Sequence, residues 1–165
     1  MAMRHYEESK SISASPADLF QLIDDHSRLS AHMTRPSWMM GGGRMDVSLD
    51  AGRGQQVGSH IKLSGKAFGI DLFLDEVVTA REPSRRKAWE TVGTPKLLII
   101  GKYRMAVDIA AEGNGSTLRV SIDYQQPEAS LLGFLFAAAY AKWCVRRMLN
   151  DAATHFAAPA HPPSA

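Results

Sequence analysis

The chain has 165 residues, 45% of them apolar and 22% charged, with a net charge of +2. That is ordinary globular composition, and a domain of this size buries roughly 70% of the surface its unfolded chain exposes. A charge this mild does not predict nucleic-acid binding, so no nucleic-acid partner is expected.

The start, MAMRHYEESK, has no apolar run, and a secretory leader is not expected. Cys144 is the only cysteine. It excludes an internal disulfide and suits a reducing compartment, so the expected setting is cytoplasmic. The expected organisation is one domain over residues 1–157 and a small, Pro-rich, loose tail over 158–165.

A first strand is expected over Arg4–Ser13. Ser15, Pro16 and Asp18 then form a helix start, with a capping hydroxyl, a proline at the first position and an acid three residues after the cap. Leu19, Phe20, Leu22 and Ile23 give that helix, Pro16–Asp25, an apolar stripe. Ser27 opens a second short helix through Met33.

From there to Pro127 the apolar period is two. Met45, Val47 and Leu49 form one inward set, and Ile61 and Leu63 the next. A turn at Gly65–Lys66 leads to Ile70, Leu72 and Leu74. Arg81–Glu82–Pro83–Ser84 turns the chain toward Trp89 and Thr91. Gly93–Thr94–Pro95 breaks it again before Tyr103, Met105, Val107 and Ile109. Gly113–Asn114–Gly115 makes a hairpin into Leu118, Val120, Ile122 and Tyr124. Six serial strands with short turns after a separate first strand predict an antiparallel meander with one buried face.

The last element is a helix over about Ser130–Phe156. Its run from Ala129 to Ala141 has thirteen uncharged residues, short of the roughly 20 a membrane span needs, so no transmembrane segment is expected. Leu131, Phe134, Ala138, Ala141, Val145, Met148, Ala152 and Phe156 recur at spacings of mostly three and four, a seam that faces the sheet.

The segments ISASPADLFQLIDD, GQQVGSHIKLSGKAFG, REPSRRKAWE and GNGSTLRVSIDY, together with the closing helix, resemble the START-like, Bet v 1-like (SRPBCC) superfamily. Bacterial polyketide cyclase/dehydratase and lipid-transport proteins are grouped there. The resemblance covers about residues 3–157. It implies an α+β helix-grip fold: a seven-stranded curved antiparallel sheet wrapped around a long C-terminal helix, two short helices after the first strand, and a cavity between sheet and helix. Ala138 and Ala141 leave room there. The expected lining is Met45, Val47, Ile61, Leu63, Leu72, Leu74, Trp89, Tyr103, Met105, Tyr124, Phe134, Ala138 and Ala141, a setting for a hydrophobic small molecule.

No metalloprotease, Cys-x-x-Cys, nucleophile-elbow or P-loop motif is present. The Gly41–Gly43 run and the Gly52–Arg53–Gly54 turn precede strands, so they read as hairpin turns rather than phosphate cradles. His26 and His32 are six apart, off metal-pair spacing. No metal or cofactor is expected. Tyr103, Tyr124 and His32 are the catalytic candidates, as proton donors or base. Glu76 falls inside if the alternation from Ile70 holds, but a bulge turning Val77 inward spares an unpaired buried carboxylate and is favoured. Cys144 sits off the seam. The basic turn from Arg81 to Lys87 reads as solvated.

Leu132, Phe136, Tyr140 and Trp143 form a second apolar helix face, flanked by Lys142, Arg146 and Arg147. Such a face meets a second copy, a covering loop (the Trp38 loop or Leu97–Ile100) or a membrane surface. The leading expectation is a carrier or sensor of a lipid, polyketide or quinone-like molecule. The alternatives are a cyclase or dehydratase working with the cavity Tyr and His residues, and an interaction module working through the aromatic helix face.

Overall fold

The computed structural model describes residues 2–29, 44–126 and 131–157, without the Leu132 side chain. His32, the Trp38 loop, the Gly41–Gly43 run, Ser130 and the tail from 158 lie outside the described residues.

Strand β1 (Met3–Ile12) leads into α1 (Pro16–Asp24) and α2 (His26–Leu29). The helix start follows the expected chemistry, with the Ser15 hydroxyl accepting from the Asp18 amide at 3.2 Å. Six strands follow: β2 (Arg44–Leu49), β3 (His60–Ala67), β4 (Ile70–Glu82), β5 (Arg86–Lys96), β6 (Tyr103–Glu112) and β7 (Gly115–Gln125). They form one antiparallel sheet in the order β1-β7-β6-β5-β4-β3-β2. The 26-residue α3 (Leu131–Phe156) closes the chain. No described helix is long and apolar enough to cross a membrane.

The expected turns need two corrections. Gly65 lies inside β3, where an added Cβ would sit 2.1 Å from the Arg44 carbonyl oxygen. The turn is Phe68–Gly69, both at positive φ (51° and 73°), as a two-residue hairpin loop of this hand requires. Gly93–Thr94–Pro95 does not end a strand either. β5 runs on to Lys96, with Gly93 at φ 66° taking up the irregularity.

The helix seam is also rotated from expectation. Ala141, Val145, Met148 and Ala152 are buried, joined by Ala137, Tyr140, Cys144 and Leu149. Leu131, Phe134 and Ala138 are exposed. Phe134 lies on the same side as Ala137 and Ala141, three and seven residues on, but it stands where β7 has already ended.

Candidate functional site

Two register shifts in the β4–β5 ladder, between Phe73 and Asp75 and between Val78 and Ala80, bracket Glu76. The first puts its extra residues on β5 around Gly93 and the second puts one on β4, so they flank Glu76 instead of rotating it. Leu72, Leu74, Glu76 and Val78 all stay buried, while Val77 is only half-buried. The expectation that Val77 turns inward is wrong. Glu76 is 3% exposed. A buried carboxylate needs hydrogen-bonding partners, and two supply it. The Tyr103 hydroxyl donates to Oε1, and His26 Nε2 lies 3.3 Å from Oε2.

His26 is seated from three sides. It opens α2, three residues past Ile23 of the α1 apolar stripe. Its ring stands edge-on to Trp89, with centroids 5.2 Å apart. Its Cβ abuts Gly54, where an added Cβ would come within 3.2 Å of it. The loop carrying Gly54 is itself fastened on Asp50, which accepts from Gly52 N at 3.0 Å and His60 N at 2.7 Å. His26 is 1% exposed, and its Nδ1 has no hydrogen-bond partner.

His26, Glu76 and Tyr103 line an inner cavity with Trp89, Leu97, Ile100, Met105, Tyr140 and Cys144. Its volume is about 30 Å³, room for one or two waters. Burial, then the Glu76 charge, push the Tyr103 hydroxyl well above its ordinary range. Burial does the same to Tyr140, and it pushes the Cys144 thiol up to about 12. So neither Cys144 nor Tyr140 ionises near neutrality. A larger groove of about 450 Å³ lies beside this cavity. Its floor includes Ile23, Val107, Leu118 and Val120, and Arg28, Arg147, Asp151 and His155 stand around it. Leu29 and Met148 line both spaces.

Of the residues expected to line a cavity, Trp89, Tyr103 and Met105 face the inner one. Met45 and Leu72 line a small neighbouring pocket with Ala67, Leu97–Ile100 and Tyr140. Ile61, Leu63, Leu74, Tyr124 and Ala141 are buried in the core without lining either space, and Val47 is half-buried. Phe134 and Ala138 are exposed and line neither space. Tyr124 is paired across the ladder with Tyr103 but stays out of the cavity. Of the expected second apolar helix face, the described members part ways: Tyr140 is 9% exposed and lines the inner cavity, Trp143 packs half-buried on the core, and Phe136 stays exposed. Cys144 belongs to the buried seam.

The basic turn is a further correction. Lys87 is wholly buried, 3.2 Å from Asp24 Oδ1 and 3.1 Å from its carbonyl oxygen. Arg81 grips the same carboxylate with Nε and Nη2 at 3.0 and 2.7 Å. Burial raises the Asp24 pKa, but the hydrogen bonds and charge of Arg81 and Lys87 outweigh it and leave it lowered. Burial lowers the Lys87 pKa, against the opposing pull of Asp24. This cluster pins α1 to the β4–β5 hairpin.

A model of the polyketide cyclase / dehydrase and lipid transport family matches residues 3–159. The chain belongs to this family. Solved structures show how far the family's fold extends. The chain is similar to Ara h 8.0201 (TM-score 0.67, 15% identity), covering 96% of this chain and all of that one. It is also similar to truncated norcoclaurine synthase from Thalictrum flavum (TM-score 0.68, 12% identity, 96% of each chain). A third likeness is protein CV1439 from Chromobacterium violaceum (TM-score 0.63, 18% identity, 92% of this chain and 96% of that one). No curated protein sequence matches significantly. At such identities the likeness carries the Bet v 1-like helix-grip fold and no residue roles. Among the described residues, no three His, Cys, Asp or Glu side chains gather as a metal set.

Proposed function

We propose that this family member binds a hydrophobic small molecule between sheet and α3 and moves a proton on it. The observation that carries this is the convergence of Tyr103, Glu76 and His26 on one apolar cavity, with one imidazole nitrogen left over. With its proton on Nε2, shared with Glu76, His26 presents the lone pair of Nδ1. An imidazole held by a carboxylate on one nitrogen is oriented to act as a general base with the other. The supporting chemistry is dehydration of a β-hydroxy carbonyl compound. Nδ1 takes the proton next to the carbonyl, Glu76 stabilises the imidazolium, and the same proton returns to the departing hydroxyl. One water leaves and nothing else is consumed. The substrate's apolar body fits the 450 Å³ groove. Rotation of Leu29 and the flexible Met148 joins groove and cavity.

A carrier without chemistry is the second reading, favoured by the apolar character of most of the lining. Native mass spectrometry of the purified protein, followed by solvent extraction, separates the two. Wild type is expected to yield a compound one water lighter than that held by Glu76→Gln. Recovery of the same compound from both proteins would leave only the carrier.

A further inference from the structure

The sheet has a wet end and a greasy end. Of the large hydrophobic side chains exposed among the described residues, all but Val57 stand where β3 turns into β4, β5 ends, β6 begins and β7 meets α3. The hairpin contributes Phe68 (75% exposed), Ile70 and Phe73, and the first turns of α3 contribute Leu131, Phe134, Leu135 and Phe136. Met3 joins them, being paired with Gln125 at the same end. The pieces are tied together there: Gly101 N donates to the Gln125 carbonyl at 3.0 Å, and the Gln126 side chain donates to the Phe134 carbonyl at 2.8 Å.

Phe68 is the telling residue. It occupies a turn position at φ 51°, where Asn or Gly is preferred and a bulky side chain is costly. The chain nevertheless holds a phenyl ring out in water there. Cations accompany the patch. Arg44, Lys96 and Lys102 are exposed at this end without an ion pair among the described residues, and Lys66 carries the nearby Asp71 at 3.5 Å.

We propose that this end docks on an anionic lipid bilayer, with Phe68 and the first turns of α3 entering the headgroup boundary. Lysine is depleted from protein interfaces but suits anionic headgroups. Two copies meeting through this face would also oppose their own cations. The pocket lined by Ala67, Leu72 and Leu97–Ile100 opens here and shares Leu97, Ile100 and Tyr140 with the inner cavity. Docking would thus place the bilayer against a path to the interior. It stands independently of the proton chemistry.

The test is co-sedimentation with vesicles of phosphatidylcholine and phosphatidylserine in equal parts, beside vesicles of phosphatidylcholine alone. Wild type is expected to pellet with the mixed vesicles, less so at high salt. Phe68→Asp and Phe134→Asp should each weaken partition on the order of tenfold, with unchanged thermal melting. Lys96→Glu with Lys102→Glu should remove the preference for phosphatidylserine. Val57→Asp, at the other end, and Glu76→Gln should bind as wild type. Wild type left in the supernatant would overturn the proposal. So would a dimer in light scattering that Phe68→Asp disperses without any vesicle binding, since a second copy would then cover the patch.

Discussion

Asp24 and Glu76 are both carboxylates removed from water, 6% and 3% exposed, yet their surroundings differ in kind. Asp24 receives two cations and has its oxygens filled by Arg81 and Lys87. Glu76 receives a phenol and an imidazole, and the imidazole keeps an unpartnered nitrogen. The first arrangement neutralises charge and joins two elements. The second leaves one buried imidazole nitrogen without a partner, a costly thing for stability alone. A buried carboxylate therefore says little until its partners are counted.

The largest effect should come from breaking the first site. Asp24→Ala leaves Lys87 buried without its countercharge, which costs about 3–5 kcal/mol. Urea denaturation would show it as a lower midpoint with an unchanged slope. Next comes pH. Because the folded pKa of Asp24 is depressed below an unfolded value of about 3.9, its contribution is fully present above that value. It is lost as pH falls through the depressed folded value. Denaturation midpoints followed from pH 5 downward should fall for wild type, and the Asp24→Asn protein should lose that part of the slope.

Much of this was legible in the sequence, and the misses share a cause. The serial strands and the helix cap follow from local chemistry: period-two alternation, a Ser–Pro–x–Asp start, and the Gly113–Asn114–Gly115 turn between β6 and β7. The faces of α3 do not. Spacing of three and four fits more than one stripe, and only the packed sheet decides that Tyr140 and Cys144 are covered, that Ala138 is not, and that Phe134 lies beyond its reach. Glu76 was legible from strict alternation, and the cost of a bare carboxylate argued it away because its partners come from Tyr103, 27 residues on, and His26, from another element. His26 also carried a local signal, since it continues the stripe of Leu19 and Ile23. Lys87 could not be read at all without knowing that Asp24 lies across from it.

Within the second site, Tyr103→Phe is the stronger test of stability. It removes one donor from Glu76 and fills nothing in its place, so a loss of about 1–2 kcal/mol is expected. Proton chemistry should weaken but persist, since His26 keeps its carboxylate.

Glu76→Gln should have the smallest effect on stability and the largest on function, which most sharply divides the two carboxylates. The amide oxygen still accepts from Tyr103. The amide N–H can donate to His26 Nε2, provided the imidazole proton moves to Nδ1. Both hydrogen bonds then survive, and stability should change by less than about 1 kcal/mol. The inverted tautomer, however, makes Nδ1 a donor and removes the base. Imidazole nitrogen chemical shifts of His26 would read this directly: a proton on Nε2 in wild type, on Nδ1 in the variant. A destabilisation as large as that of Asp24→Ala, with the tautomer unchanged, would make Glu76 a fastening like Asp24 and leave the unpartnered nitrogen without a chemical role.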